Sequence, residues 1–387
     1  MPKNEPSPDT ILILGITSGT TGEPKIAMLS HINFISGNVA QEYLGFNFTE
    51  DDVYLSYVPL THVQEQILHV NSVMCGFRIG YSSGDMLNLV QDIQYLRPTL
   101  FGSFPAFYNK VYQKIKSNIE TKNNLVQTLI DQAIQTKIWY FLQNGTVHHL
   151  VYDTTIFRWI RNVLGGRIRF FVSGGAPLSV EVKNFITVVF SAPVFEAYGL
   201  TETSGILSCT AIWDRKGNNV GGILPCLKMQ LRDNQDLNFT TDISPPTGEI
   251  YVKGNSVFKG YYKNPDLTKQ MIDEEGWLRV GDIATLNSDG SISLIDRVQE
   301  IKKLQNGDYI SPLRLETVYL EAPIVSQIYI DINSNYNFMV GVVVLNQDKL
   351  EQFAAVNGFP YDAAKLASIP DVEYAVLKQL ERVAEVK

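Results

Sequence analysis

Between Ile11 and Ala197, short apolar runs alternate with longer segments in which apolar residues recur every three or four positions. Ile11-Leu-Ile-Leu-Gly-Ile16 is an apolar run closed by a Gly/Thr/Ser turn, and it reads as a buried strand. Runs over 53–60, 78–81, 99–102, 168–173 and 194–197 also read as strands. Helical spacing predicts helices over 33–44, 63–75, 87–96 (ended by Pro98), most of 106–161, and 180–190. Strand followed by crossover helix, repeated, is the pattern of a mostly parallel sheet.

Past Tyr198 the texture changes. Segments become short and rich in Gly, Asp, Asn and Pro up to about Asp296, which predicts antiparallel β-structure closing on a hairpin across Asn287-Ser-Asp-Gly290. Beyond Val298 the pattern is mixed: a helix over 313–320, strands over 325–332 and 338–345, and a helix from 372 to the end. The expected class is α/β, with mostly parallel layered sheets and helical crossovers. A small β-rich subdomain and a small, partial α+β C-terminal domain complete it. The expected division is a large domain over 1–297 and a small one over 298–387.

Composition narrows the options. With 45% hydrophobic and 19% charged residues, the chain is globular rather than disordered. Its three cysteines, Cys75, Cys209 and Cys226, are too far apart for a CxxC or metal-like cluster and read as reduced thiols. The polar, proline-rich start is neither a signal nor a transit peptide, and no apolar stretch is long enough to span a bilayer. A net charge of −8 argues against broad nucleic-acid binding. Residues 101–170 run the other way, with nine Lys/Arg against three acids, and they include Trp139 and Trp159. That window is either a set of solvated helix faces or a surface for anionic lipid or a polyphosphate.

Three segments carry candidate chemistry. In Thr17-Ser-Gly-Thr-Thr-Gly-Glu-Pro-Lys25, the residues Thr17, Ser18, Gly19, Thr20, Thr21 and Gly22 offer small hydroxyls and backbone N–H groups. Such a loop can wrap a phosphate while Lys25 supplies positive charge. A Walker A loop needs Gly before its Lys and Ser/Thr after it, and Pro24 and Ile26 exclude that class. A ligand-free Gly/Ser/Thr turn is the other reading. Phe195-Glu-Ala-Tyr-Gly-Leu-Thr-Glu-Thr203 places a ring, a glycine, a hydroxyl and a carboxylate at a strand end. Tyr198 can lie on a purine, Thr201 can donate to a phosphate and Glu202 can hold Mg²⁺; the alternative is a turn with an exposed Glu. Gly276-Trp-Leu-Arg-Val-Gly-Asp282 ends on an Asp that is a loop cap or an acceptor for hydroxyl groups. In Pro59-Leu-Thr-His-Val-Gln-Glu-Gln66, His62 is a strand-end histidine that is structural or close to substrate.

In this order the motifs resemble the adenylate-forming (AMP-binding) enzymes. The insert from Phe104 to Gly166, the Gly165-Gly-Arg-Ile-Arg-Phe-Phe-Val-Ser-Gly-Gly175 run and the Leu304-Gln-Asn-Gly-Asp-Tyr-Ile-Ser311 tail resemble the long-chain acyl-CoA synthetases among them. The resemblance covers essentially the whole chain. It implies that Thr17 to Lys25 is the phosphate loop and that Gly174, Gly175 and Ala176 approach the adenine. It further implies purine, phosphate and metal roles for Tyr198, Gly199, Thr201 and Glu202. Asp282 would bind the ribose with Arg297 assisting, and His62 would sit near the substrate carboxylate. Asp296 to Gln299 resembles a hinge, and Lys303 a lysine of the thioester-forming conformation. Ile26, Val280 and Gln299 depart from the usual Gly, Thr and Lys or Asp.

The implied substrates are a long-chain fatty acid, ATP and CoA, with Mg²⁺. The implied location is the cytoplasm or the cytosolic face of an intracellular membrane such as the endoplasmic reticulum, with peripheral membrane contact. The alternatives are a nucleotide- or acyl-binding protein without turnover and a peripheral membrane protein with a vestigial site. The same resemblance implies an N-terminal portion before the phosphate loop and a later lysine completing the adenylation site. Neither has a counterpart here, so the expectation is that this chain alone binds ATP weakly and makes acyl-CoA very slowly or not at all.

Overall fold

A computed structural model describes residues 5–17, 24–303, 309–332, 339–358, 366 and 369–386. The chain divides into two units, one of Met1–Asp233, Thr240–Val280 and Ala284–Leu294, the other of Asn234–Phe239, Gly281–Ile283 and Ile295–Lys387.

The first unit opens on a hairpin in which β1 (Ile11–Thr17) pairs antiparallel with β2 (Lys25–Ser30). The β1 run is a strand but not a buried one, since Leu14 and Ile16 are 51% and 56% exposed. The hairpin is a separate two-stranded ribbon. Its β2 side carries the burial, with Ala27 and Leu29 inside the core. An apolar run fixes strand character but not which layer will cover it.

Next comes a seven-stranded sheet in the order β4-β3-β5-β6-β7-β8-β9. Its strands are β3 (Val53–Ser56), β4 (Arg78–Tyr81), β5 (Leu100–Ser103), β6 (Phe170–Gly174), β7 (Val194–Leu200), β8 (Gly205–Cys209) and β9 (Gly222–Ile223). The first five in that order are parallel neighbours, and β8 and β9 join antiparallel. Helices α1 (His31–Ala40), α2 (Val63–Cys75), α3 (Leu89–Leu96), α4 (Pro105–Glu120), α5 (Asn124–Asn144), α6 (Leu150–Thr155), α7 (Phe157–Val163) and α8 (Val180–Phe190) make the connections. The parallel strands end at Ser56, Tyr81, Ser103, Gly174 and Leu200, and this carboxyl edge is where open α/β sheets bind ligands. Aromatic rings pack on the sheet: Phe46, in the loop before β3, stacks on Phe170 at 5.0 Å and meets Phe195 edge-on at 4.8 Å.

Asp52, at the entry to β3, accepts from Arg169 Nε (2.9 Å) and Nη2 (2.7 Å), Thr99 Oγ1 (2.6 Å) and the Thr49 amide (2.9 Å). Burial works to raise its pKa, but Arg169, Thr99 and Thr49 outweigh burial and hold it below the usual range. A depressed folded pKa means stability that is present above the unfolded value and lost as pH falls through the folded one. Asp52→Asn should therefore lower stability near neutral pH by ~2 kcal/mol. Its urea midpoint should begin to converge with that of the parent as the pH falls below about 4, where the unfolded carboxyl takes up its proton. A penalty independent of pH would show that the charge is not what stabilises.

A four-stranded sheet follows, formed by β10 (Leu227–Arg232), β11 (Thr247–Gly254), β12 (Leu278–Leu286) and β13 (Ile292–Arg297) in sequence order. The turn between the last two is the expected one, with Gly290 at φ 82°. One element is additional to the β pattern: α9 (Pro265–Met271), with Asn264 accepting from the Leu267 amide and Pro at its first turn.

In the second unit the described elements past β13 are β14 (Lys302–Lys303), β15 (Tyr309–Ile310), α10 (Pro312–Tyr319), β16 (Val325–Ile332), β17 (Met339–Leu345), α11 (Gln347–Asn357) and α12 (Pro370–Val386). Ala322, Ile324, Val325, Leu350 and Val372 form its apolar core. Among the described residues, no helix is long and apolar enough to cross a membrane.

Candidate nucleotide site

Thr17 and Lys25 are register partners across the first hairpin, so the two ends of the hydroxyl-rich loop are fixed. Ser18, Gly19, Thr20, Thr21 and Gly22 lie outside the described residues. Lys25 Nζ lies 5.8 Å from the centre of the Tyr261 ring, within cation–π range. Tyr261 is 4% exposed, and its hydroxyl donates to Glu202 Oε1 at 2.7 Å. The Phe258 amide donates to the Glu202 carbonyl at 2.9 Å. Burial and the Glu202 carboxylate push the Tyr261 phenol far up, so it remains a neutral donor.

What brings Tyr261 here is backbone pairing along β2. The Met28 amide donates to Gly260 (3.0 Å), Lys259 to Met28 (2.9 Å) and Tyr262 to Ile26 (2.8 Å). Ile26, which replaces the usual glycine, thus serves as a strand residue opposite Ile16. The sequence reading missed Tyr261. Its signal was Phe258-Lys-Gly-Tyr-Tyr262, where Gly260 has φ 118°, a value that favours glycine.

The second motif meets the first hairpin directly. A Cβ on Gly15 would lie 2.6 Å from Thr201 Cγ2, so the absence of a side chain on β1 admits Thr201. Tyr198 packs against the apolar cluster of Leu207, Val252 and Leu278, and Gly199 is exposed at the end of β7. On the neighbouring strand Gly174 is buried while Gly175 and Ala176 are exposed; Gly174 is the register partner of Ala197. A Cβ on Gly175 would lie 3.1 Å from the Phe104 ring. That ring in turn meets the His62 ring edge-on at 5.7 Å. His62 is the exposed N-cap residue of α2. It is thereby linked through Phe104 to the 174–176 loop, a relation the sequence did not announce.

Asp282 and Arg297 lie in the second unit. Asp282 is buried, and Arg297 Nε lies 3.6 Å from its Oδ1. The next residue along, Val298, donates its amide to the Gly281 carbonyl at 2.9 Å. Asp296 accepts from the Arg297 amide at 2.6 Å and from Ser311 Oγ. Lys303 pairs with Tyr309 in a short antiparallel ladder. Val280 is buried in an apolar cluster of the first unit, an environment that suits its lack of a hydroxyl.

The family model for the AMP-binding enzymes matches residues 1–262. The chain is 39% identical over 380 residues to the peroxisomal long chain acyl-CoA synthetase 6 of Arabidopsis thaliana, covering 98% of this chain and 54% of that protein. It is 36% identical over 384 residues to long-chain-fatty-acid–CoA ligase 5 of Mus musculus, covering 98% and 56%. The chain therefore spans about half the length of these curated relatives. Among solved structures, the adenylation domain of a carboxylate reductase from Mycobacterium chelonae superposes with a TM-score of 0.75 at 25% identity, over 98% of this chain and 53% of that one. The A domain of the carboxylic acid reductase from Segniliparus rugosus, solved with AMP and a co-purified carboxylic acid, gives 0.72 at 23% over 98% and 54%, a likeness of fold. Since the family match takes in the first hairpin, Tyr198, Glu202 and Tyr261 in one continuous stretch, the chain belongs to the AMP-binding enzymes.

Proposed function

We propose that this chain carries adenylation machinery of a long-chain fatty acid–CoA ligase. The arrangement of Lys25, Tyr261 and Glu202 supports the reading most strongly: a cation and a carboxylate are fixed on two sides of one buried tyrosine. In the first step a fatty-acid carboxylate oxygen attacks the α-phosphorus of ATP and pyrophosphate leaves, giving acyl-AMP. In the second, the CoA thiol attacks the acyl carbon and AMP leaves. Positioning and charge stabilisation dominate such chemistry.

Lys25 and the hydroxyl-bearing loop from Thr17 to Gly22 take the β- and γ-phosphates, with Thr201 beside them. Tyr198 and Gly199, with Gly174 to Ala176, flank the purine. Asp282 and Arg297 serve the ribose, His62 the acyl carboxylate and Lys303 the thioester step. The donor set suits Mg²⁺. Among the described residues the Glu202 carboxylate is hydrogen-bonded through Oε1 only, and no three His, Cys, Asp or Glu side chains cluster. One carboxylate plus phosphates and waters is how this ion is ordinarily held. When bound, it offsets phosphate charge. The division into a large domain over 1–297 and a small-domain portion over 298–387, hinged at Asp296 to Gln299, belongs to the same proposal, as does a cytosolic-face location.

Pyrophosphate exchange across a panel of carboxylic acids tests the reading. Exchange should be fastest with long-chain acids. Nucleotide binding without exchange for any acid would favour a binding protein instead.

A second reading, peripheral membrane association, is favoured by the outer face of α5, where Leu125, Leu129, Trp139 and Leu142 are all exposed. Leu150 and Val151 on α6 continue the apolar exposure. The basic excess around them is smaller than the sequence count suggests: Lys137 is buried against Asp153, and Arg169 is engaged by Asp52. The chain should float with anionic liposomes at low salt, and less so near 0.15 M, where the screening length is about 8 Å. No flotation at low salt would remove this reading.

A further inference from the structure

Asn33 stands on the first turn of α1 and is 2% exposed. Its amide group is hydrogen-bonded to its full capacity. Oδ1 accepts from the Ser30 amide at 2.9 Å and from Ser30 Oγ at 2.8 Å. Nδ2 donates to the carbonyls of Asn255 at 2.8 Å and Val257 at 2.7 Å. The carbonyl between those two is engaged as well. Ser204, also 2% exposed, donates from Oγ to the Ser256 carbonyl at 2.9 Å.

Successive carbonyls are thus held by buried side chains from two other parts of the chain. Ser30 closes β2, the strand that begins at Lys25. Ser204 follows the turn Thr201–Thr203, and its amide donates to the Thr201 carbonyl at 3.0 Å. From Val257 the chain runs straight into the segment that carries Tyr261. The Phe258 amide meets the Glu202 carbonyl, and residues 259–262 pair along β2. The pieces that supply Lys25, Glu202 and Tyr261 are therefore joined at residues 255–257.

Register is what such a joint controls. The pairing of 259–262 with β2 is short, and a slip of one residue turns Tyr261 to the opposite face. Tyr261 then loses Glu202, to which its hydroxyl donates. Asn33 opposes a slip by gripping two carbonyls from a helix that starts where β2 ends. A hydrocarbon of the same shape cannot do this, since it leaves buried carbonyls unpaired.

We propose that Asn33 is a positioning residue for the nucleotide site. It sets the register of residues 258–262 along β2 through the Asn255 and Val257 carbonyls, and Ser204 secures the Ser256 carbonyl from the Glu202 side. This rests on the reading that Lys25, Glu202 and Tyr261 face the phosphates of a nucleotide.

Hydrogen exchange at the Lys259 and Tyr262 amides reports the register, and titration calorimetry with Mg²⁺ and ATP reports the site. Asn33→Asp keeps the shape and the acceptor for Ser30 but loses both donations. In the full chain it should speed exchange at both amides about tenfold and weaken ATP binding about tenfold. Made in a Tyr261→Phe chain, the same substitution should weaken ATP binding less than about threefold further, because the contact it misplaces is already gone. An asparagine that merely holds the fold gives additive losses. Ser204→Ala removes the Ser256 bond alone and should give about threefold changes of the same sign; it stands in should the Asp chain fail to fold. Parental exchange at Lys259 and Tyr262 in the folded variant overturns the proposal, as does full additivity with Tyr261→Phe. Failure of the parent chain to bind ATP overturns the nucleotide reading beneath it, and exchange at the two amides then still decides whether Asn33 sets the register.

Discussion

Replacing Glu202 by glutamine should lower fatty-acid-dependent pyrophosphate exchange about 10²- to 10³-fold, the range seen when one electrostatic contact at a reacting centre is removed. It should also abolish the Mg²⁺ dependence of nucleotide binding. The fold has little reason to change. Glutamine Oε1 still accepts from Tyr261, and the other tie to this residue runs from the Phe258 amide to the backbone carbonyl. What the substitution removes is the negative charge, on the one acidic group of the Tyr-Gly-Leu-Thr-Glu run. Tyr261→Phe gives the complementary result: the charge stays but one anchor of the carboxylate is lost, so exchange should fall by less than in Glu202→Gln. Normal exchange with normal Mg²⁺ dependence in Glu202→Gln would remove this residue from the site.

The pairing of Glu202 with Tyr261 also shows where reading a sequence stops. Glu202 was visible because its chemistry is local: a ring, a glycine, a hydroxyl and a carboxylate within five residues at a strand end. Tyr261 was not visible, because nothing near it in sequence requires a ligand. Its role arises only when residues 258–262 pair along β2, more than 200 positions away. The alternation of strands and helices over the first 200 residues was legible for the opposite reason, since periodicity is a local property that each crossover repeats. Burial is not local in that sense. The β1 run is apolar enough to predict an interior strand, yet its hairpin leaves Leu14 and Ile16 exposed. Lys137 was counted as surface charge, and it is 1% exposed, bonded to Asp153 and Ser191. Side-chain identity fixed the element in each case, and tertiary pairing fixed the face.

Gly199→Ala should be among the most damaging single-methyl substitutions in the chain. Glycine at this position is not required by a left-handed backbone: Gly199 is absent from the positive-φ residues, unlike Gly205 at φ 100°. It is required by a neighbour. A register shift between Tyr198 and Gly199 interrupts the antiparallel pairing of β7 with β8, and bulges of this kind re-aim the residues that follow. A Cβ on Gly199 would lie 1.7 Å from the Gly205 carbonyl oxygen and 2.8 Å from the Leu207 nitrogen. Both are backbone atoms, so no side-chain rotation relieves the overlap, and the two strands must separate. The expected cost is about 3 kcal/mol, or roughly 5 °C in Tm for a unit of this size. Thr201 and Glu202 lie immediately downstream, so nucleotide binding should be lost as well, even below the new Tm. Gly15→Ala is the informative contrast. Its Cβ would meet the Thr201 methyl at 2.6 Å, a side-chain atom that can turn aside, so stability should change little while nucleotide affinity falls. Thermal denaturation and AMP titration on both variants check the pair. Equal stability losses, or a Gly199→Ala chain as stable as the parent, would mean that the approach of β8 does not dictate this glycine.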